Sequence, residues 1–574
     1  MSSINTDNGA RDISLVLCGQ AGQGLQSVER FLTGILKSCG YHLFTTKEFM
    51  SRVRGGMNST QIRISEQPLN SPTNRIDVLV PLEKGGINHV SCRITPDTVI
   101  LCEKAASEGD LHGGGTLYDI PFTQLATESG DKVYANTVAV GALISLLGIE
   151  LEPSLQLLKG YLSKKDSKII DSNLLAARKG FEAMARISPV KALPKFKCDP
   201  QIKEQILLSG TEAIGLGAIA GGCNFISSYP MSPSTGVLSF LAQNGSSFGI
   251  VVEQAEDEIA AMNMAIGAWY AGARAMVTTS GGGFALMTEG LSLAGMLESP
   301  MVIHLAQRPG PATGLPTRTE QGDLELALYA GHGEFPRIIY APGTIEEGFY
   351  LTQRAFNIAD KYQMPVFILT DQYYIDSYYN TPAFNLTEIK TDKCFIRTVK
   401  DYKRYAFTAD GISPRGIPGF GDGLVCVDSD EHDEEAHITE SCLMRTRMVD
   451  KRLSKLKAYE KDSIAPKLYG SDQYKKLIIC WGSTLGVVLE ALKVHGTDDT
   501  AILHFSQVYP LDRNAIAEKV GKAEKVILIE NNATGQFGKI LKTYASIEVT
   551  DTILKYNGLC FASDELAIIL KTKL

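Results

Sequence analysis

Residues able to do chemistry gather at three points between Glu253 and Arg308. Four acids lie in Glu253–Glu258, a glycine run in Ser280-Gly281-Gly282-Gly283, and an amide and a guanidinium in Gln307-Arg308. Each group follows an apolar run: Ile250–Val252, Ala275–Thr278 and Met301–Leu305. Grouped at neighbouring strand ends, they read as an edge holding a cofactor and a substrate; acids at helix starts also suit an ordinary core, because the helix dipole favours them. A second candidate is Cys18-Gly19-Gln20-Ala21-Gly22-Gln23-Gly24. Its backbone N–H groups could cradle an anion at a helix start, or it could serve only as a tight strand-to-helix turn. The spacing departs from the dinucleotide fingerprint, and no clear ribose-binding acid follows. Arg52 and Arg54, in Ser51-Arg-Val-Arg-Gly-Gly-Met-Asn-Ser, could meet a phosphate or a partner's acid, or simply lie in solvent. Residues 428–437 put eight carboxylates and imidazoles into ten positions. That density suits a cation or, more commonly, a solvated loop, and no metal is assigned to it.

The elements that must position these groups follow from periodicity. Three apolar runs separated by helix-like segments near 256–271 and 284–297 give β-α-β-α-β, the pattern of a doubly wound sheet covered on both faces. Ligands in such sheets sit at the carboxyl ends of the strands. Upstream, Ile13–Leu17 reads as a strand into the Gly19–Gly24 turn, then a helix over 25–38, strands at 60–64, 77–82 and 98–102, and a helix over 136–148. Downstream, 345–361 reads as a helix and 365–370 as a strand, 445–461 as a basic helix, and 476–481, 500–503 and 525–530 as strands.

The prolines of 187–205 mark a linker. At 574 residues the chain suggests roughly three or four domains. The expected units are 12–190, 200–385, a connecting segment 386–472, and 473–574, all α/β. A net charge of −8 with no basic cluster argues against nucleic acid. The apolar run Thr137–Ile149 falls short of the roughly 20 residues that span a bilayer. The opening Met-Ser-Ser-Ile-Asn-Thr is polar, so a cytoplasmic protein is expected. Eleven cysteines are scattered with no two within four residues of each other, which fits reduced thiols and gives no iron–sulfur or zinc spacing.

Taken together, the motifs make the chain similar to the α subunits of 2-oxoacid:ferredoxin oxidoreductases, of the 2-oxoglutarate type with the γ domain fused at the N-terminus. Gly19–Gly24 and Ser51–Gly56 resemble the γ domain, which is Rossmann-like. Tyr229-Pro-Met-Ser-Pro-Ser, Glu256-Asp-Glu-Ile-Ala-Ala, Thr279-Ser-Gly-Gly-Gly and Gly314-Leu-Pro-Thr-Arg-Thr-Glu-Gln-Gly-Asp resemble the thiamine-diphosphate pyrimidine-binding domain. Glu530-Asn-Asn-Ala-Thr-Gly-Gln resembles a transketolase C-terminal-like domain. The resemblance implies oxidative decarboxylation of a 2-oxoacid with coenzyme A and ferredoxin. It implies thiamine diphosphate shared with a separate β subunit that carries Mg²⁺ and a 4Fe-4S cluster, in an α2β2 assembly, with no cofactor held by this chain alone. Gly421-Asp-Gly423 begins the diphosphate motif, but no asparagine follows before residue 460, so it reads as a chance match.

Roles carried over by the resemblance are these. Glu258 bonds the aminopyrimidine ring and is catalytic, with Tyr229 and Pro230 beside the cofactor. Arg308, Ser232 and Thr317 face the substrate, and Arg318 beside them either does so too or is structural. Gly19, Gly22, Gly24, Arg52 and Arg54 form a loop for coenzyme A or another anion. Two other readings fit parts of the pattern: half of a different thiamine-dependent decarboxylase or transketolase-like enzyme, and a nucleotide-binding regulatory subunit.

Overall fold

The computed structural model describes residues 12–20, 24–50, 56–104, 114–187, 193–495 and 498–574. Gly22, Arg52 and Arg54 lie outside them. Three large sheets carry the chain, which is mixed α/β.

The first sheet is built on Asp12–Gln20, a strand of nine residues whose interior is buried throughout. It pairs parallel with Val78–Pro81, and Val99–Cys102 and Thr116–Asp119 extend that side. On its other side it pairs antiparallel with Met57–Ser65, which pairs antiparallel with His42–Glu48. This sheet is therefore mixed, not wholly parallel. Only eight residues separate the strands His42–Glu48 and Met57–Ser65 in sequence, and parallel neighbours would need a crossover of about a dozen residues or more. Tyr378–Thr381 and Ile206–Ser209, which come from beyond the proline-rich linker, complete the same sheet.

The central sheet has seven strands in the order Gln507–Tyr509, Ile338–Tyr340, Pro365–Asp371, Met301–Gln307, Ala275–Thr279, Phe225–Ser228 and Val251–Gln254. All pair parallel except the first. The chain steps from Phe225–Ser228 outward to Val251–Gln254 and then crosses to Ala275–Thr279 on the other side. The order reverses there, which makes a topological switch point, and the crevice at the strand carboxyl ends is where such sheets take ligands.

Two local expectations change. The run Ile250–Val252 is not a buried strand: Val251–Gln254 is the edge, and Val251 is 58% exposed. The helix expected over 284–297 begins inside the glycine run and breaks at Met287, giving Gly281–Leu286 and Thr288–Met296.

The third sheet orders Lys467–Gly470, Thr500–Phe505, Lys476–Trp481, Lys525–Glu530 and Asp551–Leu554, parallel but for the first. Its inner side shares one apolar core with the central sheet, from Ile214 through Phe367 to Trp481 and Phe537. No helix among the described residues is long and apolar enough to cross a membrane.

Candidate active site

Glu258 is the first residue of the helix Glu258–Tyr270, and Asp257 caps that helix by accepting the Ala260 N–H at 2.7 Å. The cap frees Glu258 to turn inward, where it is only 3% exposed. Its Oε1 is enclosed and has no hydrogen-bond partner. Burial pushes this carboxyl above its usual range, its own backbone N–H pulls it back, and the charge of Asp257 raises it again. A buried carboxylate oxygen left without a partner is costly. Glu253 and Glu256, by contrast, are exposed.

The glycine run explains itself at this point. A methyl on Gly283 would lie 2.5 Å from Glu258 Oε1 and 2.3 Å from Thr279 Oγ1. A methyl on Gly281 would lie 2.4 Å from both carboxylate oxygens of Asp323. The helix Gly281–Leu286 thus starts between two carboxyl groups, and only residues without a Cβ fit there.

Asp323 is the residue that motif reading missed. It lay within the quoted Glu-Gln-Gly-Asp but was given no role. Burial, with the charge of Glu320, raises its pKa to about 7, opposed by Arg308. Its Oδ2 is enclosed and unpaired, like Glu258 Oε1. The only local signal is an acid directly after Gly322, at the start of the helix Leu324–Tyr329.

Arg308 follows the strand Met301–Gln307 and donates from Nη1 to the backbone carbonyl of Ser232 at 2.7 Å. That bond ties the end of one strand to the loop after Phe225–Ser228. Burial lowers the Arg308 pKa and Asp323 supports its charge. The Ser232 side chain is exposed, so its carbonyl, not its hydroxyl, meets Arg308. Tyr229, 40% exposed, and Pro230 sit in the same loop.

Thr317 and Arg318 point elsewhere. Thr317 Oγ1 donates to the Phe49 carbonyl at 2.7 Å, and Arg318 Nη1 donates to Glu48 Oε2 at 2.9 Å. Both fasten the 309–322 loop to the end of the strand His42–Glu48. Gly314 (φ 52) makes that loop possible, since a methyl there would lie 1.9 Å from the Pro309 carbonyl oxygen.

In the first unit, Gly19 is buried inside its strand and Gly24 (φ 76) starts the helix Leu25–Ser38, close against the Asn136 side chain. In the acidic run, Asp433, Glu435 and His437 bring ligand-type atoms within 4.8 Å of one another at a largely exposed surface. Lys403 pairs with Glu435, and Arg445 and Arg452 of the basic helix pair with Glu431.

A switch-point crevice, two buried carboxyls each with an unpartnered oxygen, and an arginine thus gather at the strand ends, inside a region that matches a thiamine-diphosphate-binding family. The thiamine-diphosphate-binding region of pyruvate flavodoxin/ferredoxin oxidoreductases matches residues 216–451, and a second pyruvate ferredoxin/flavodoxin oxidoreductase region matches 14–183. A 2-oxoacid:ferredoxin oxidoreductase subunit alpha from Sulfolobus sp is 32% identical, covering 96% of each chain. A 2-oxoglutarate synthase subunit KorA from Archaeoglobus fulgidus is 32% identical over 59% of this chain and 90% of its own. A solved 2-oxoglutarate:ferredoxin oxidoreductase from Magnetococcus marinus, with 2-oxoglutarate, coenzyme A and succinyl-CoA bound, superposes with a TM-score of 0.91. It is 31% identical and covers 98% of this chain and all of its own. The chain belongs to the family of 2-oxoacid:ferredoxin oxidoreductase α subunits.

Proposed function

We propose that this chain, with a β subunit, oxidatively decarboxylates 2-oxoglutarate in the presence of coenzyme A, giving succinyl-CoA and CO2 and passing both electrons to ferredoxin. The reverse carboxylation uses the same groups. The observation that carries the reading is the enclosed, unpartnered Glu258 Oε1 on the sheet edge that also holds Arg308. Support for 2-oxoglutarate over other 2-oxoacids comes from the relatives named for it.

An orphaned buried carboxyl oxygen over a glycine turn without Cβ atoms fits the aminopyrimidine of thiamine diphosphate. When bound, that cofactor supplies the carbon nucleophile and electron sink that decarboxylation needs. Glu258 would hold a proton at a pyrimidine ring nitrogen, a task suited to a carboxyl raised by burial. Tyr229 and Pro230 would line that ring. Arg308 would grip the substrate carboxylate, held in aim by the Ser232 carbonyl. Ser232 belongs to the loop whose carbonyl holds Arg308, while Thr317 and Arg318 fasten the 309–322 loop to the end of the strand His42–Glu48. The diphosphate, Mg²⁺ and the 4Fe-4S cluster are assigned to the β subunit, in an α2β2 complex, and coenzyme A or another anion to the γ region near Gly24, the start of the helix Leu25–Ser38.

The test is co-purification with the β subunit and measurement of 2-oxoacid-dependent viologen reduction. Strong activity with 2-oxoglutarate and weak activity with pyruvate is expected, as is a colourless, inactive chain on its own. Preference for pyruvate overturns the substrate, and activity of the isolated chain overturns the division of labour.

A further inference from the structure

Beneath the loop that meets Arg308, a row of polar side chains crosses the central sheet inside the core. Thr278, His304 and Thr370 lie on the neighbouring strands Ala275–Thr279, Met301–Gln307 and Pro365–Asp371, and all three are buried. Thr278 and His304 are register partners. Thr278 Oγ1 lies 2.7 Å from His304 Nδ1, and His304 Nε2 lies 2.9 Å from Thr370 Oγ1. At its other end the row meets the loop, where Thr278 Oγ1 donates to the Ser234 carbonyl at 3.5 Å. Ser228 Oγ, just before the loop, donates to the Thr278 carbonyl. Thr278 therefore grips both ends of the stretch 229–233, whose middle supplies the Ser232 carbonyl bonded by Arg308.

The direction of each bond follows from the chemistry of the groups. Burial pushes the His304 pKa down to about 3, so the imidazole is neutral, with one donor and one acceptor nitrogen. A carbonyl can only accept, so the single Thr278 hydroxyl proton is committed to Ser234. The Thr278 oxygen must then accept from His304, which places the imidazole proton on Nδ1. Nε2 is left to accept from the Thr370 hydroxyl. Every proton in the row thus points towards the loop. The Ser234 hydroxyl adds nothing across the sheet: it makes no cap bond to the helix Thr235–Phe248 and donates to the Met231 carbonyl at 2.8 Å. At 3.5 Å the link to Ser234 is the longest of the row, so it is the first lost when the Thr278 hydroxyl turns.

We propose that His304 is a positioning residue for the 2-oxoacid: its Nδ1–H fixes the Thr278 hydroxyl on the Ser234 carbonyl and so sets the loop from which Ser232 aims Arg308. The proposal rests on the reading of Arg308 given above. His304 touches neither substrate nor cofactor and moves no proton. With the imidazole proton on Nε2 instead, the Thr278 hydroxyl would donate to His304 and let go of the Ser234 carbonyl. The far end of the loop would then lose its tie to the sheet, and the Ser232 carbonyl would no longer be held at a fixed depth under Arg308.

The experiment uses the assembled complex and two amides that each copy one half of the imidazole. His304→Asn carries its amide where Nδ1 stands and still donates to Thr278, but falls short of Thr370. His304→Gln reaches Thr370 and leaves the Thr278 hydroxyl unsupported. Each drops one buried hydrogen bond, so both should lose melting temperature by a similar amount. Only His304→Gln should raise KM for 2-oxoglutarate, by about three- to tenfold, the worth of one hydrogen bond. Its kcat and its KM for coenzyme A should stay at the wild-type values. Thr278→Val should raise KM alike, and Thr278→Ser, which keeps the hydroxyl, should restore it; this pair serves should the His304 variants fold poorly. Equal KM in His304→Asn and His304→Gln, or wild-type KM in Thr278→Val, overturns the proposal and leaves the assignment of function standing. Failure of the wild-type complex to turn over any 2-oxoacid overturns both.

Discussion

Two buried acidic centres lie within the same central unit and are built on opposite plans. Glu298, 1% exposed, is clasped by Lys451 at 2.5 Å and Lys455 at 2.6 Å, both nearly fully buried. Burial works against its charge, but Lys455, Lys451 and Arg404 together hold the carboxyl far below its usual range. Glu258 and Asp323 face a glycine turn instead of a lysine, each keeps an unpartnered oxygen, and both are pushed upward. The first plan satisfies charge within the chain and locks the helix Cys442–Tyr459 onto the central unit. The second leaves charge unsatisfied, which folding alone gives no reason to keep. Unsatisfied groups at a strand-end crevice are therefore what supports the ligand position proposed above.

The sharpest way to break this contrast is at Glu258. Glu258→Gln keeps the shape but cannot share the proton, and kcat of the assembled complex should fall by about 10²–10⁴-fold. Glu256→Gln, an exposed neighbour, should leave it unchanged. Loss of thiazolium proton exchange in deuterated water should follow Glu258 alone. Equal damage in both variants would reduce Glu258 to a helix-start charge.

Next comes Glu298, where the same change should cost stability, not chemistry. Glu298→Gln strands two buried ammonium groups, and removing one partner of a buried pair costs about 3–5 kcal/mol. A marked fall in melting temperature is expected, with activity per folded molecule retained. The sign of the pH effect also separates the two plans. The lowered pKa of Glu298 gives stability that is present above the ordinary carboxylate range and lost as pH falls through its folded pKa. The raised pKa of Asp323 gives stability lost as pH rises through about 7. A Glu298→Gln variant as stable as wild type would show the clasp to be idle.

How much of this could be read from the chain depends on the range of the interactions. Strands such as Lys476–Trp481 and Lys525–Glu530 appear where expected, because long buried apolar runs bounded by polar residues leave little choice. The strands Ile206–Ser209, Tyr378–Thr381 and Gln507–Tyr509 are short, and each joins a sheet founded elsewhere in sequence. Their reason to be strands is a distant edge, which no local pattern records. The site divides the same way. Glu258 and Arg308 were legible through motifs lying next to strand ends. Asp323 was not, because its importance comes from Gly281, some forty residues earlier, and from a clamp contributed by Asn532 and Gln536. The partners of Arg318 were equally hidden, since Glu48 belongs to a strand the periodicity did not suggest.

At Arg308 the contrast becomes one of geometry. An ammonium can keep the charge but not the fork, so Arg308→Lys should lose roughly 1.5–3 kcal/mol of charge-assisted bonding. That corresponds to on the order of ten- to a hundredfold in kcat/KM for the 2-oxoacid. Steady-state kinetics of the complex decide it, and unchanged values would make Arg308 a brace for the Ser232 loop alone.

The smallest effect is expected at Arg318, which tests whether nearness in sequence to the substrate loop is enough for a role in binding. Its guanidinium is already committed: Nη1 meets Glu48 at 2.9 Å, with the two side chains 22% and 37% exposed. A pair this accessible is screened by water and salt, and such pairs typically contribute about 0.2–1 kcal/mol. Arg318→Gln should therefore lower kcat/KM by no more than about fivefold, the equivalent of that energy. Glu48→Gln should produce a similar change, because it cuts the same tie between the 309–322 loop and the strand His42–Glu48. The double variant should be no worse than either single one, since a bond already broken is not broken twice. A loss at Arg318 as large as that of Arg308→Lys, with Glu48→Gln harmless, would show that Arg318 leaves Glu48 during catalysis and grips the substrate itself.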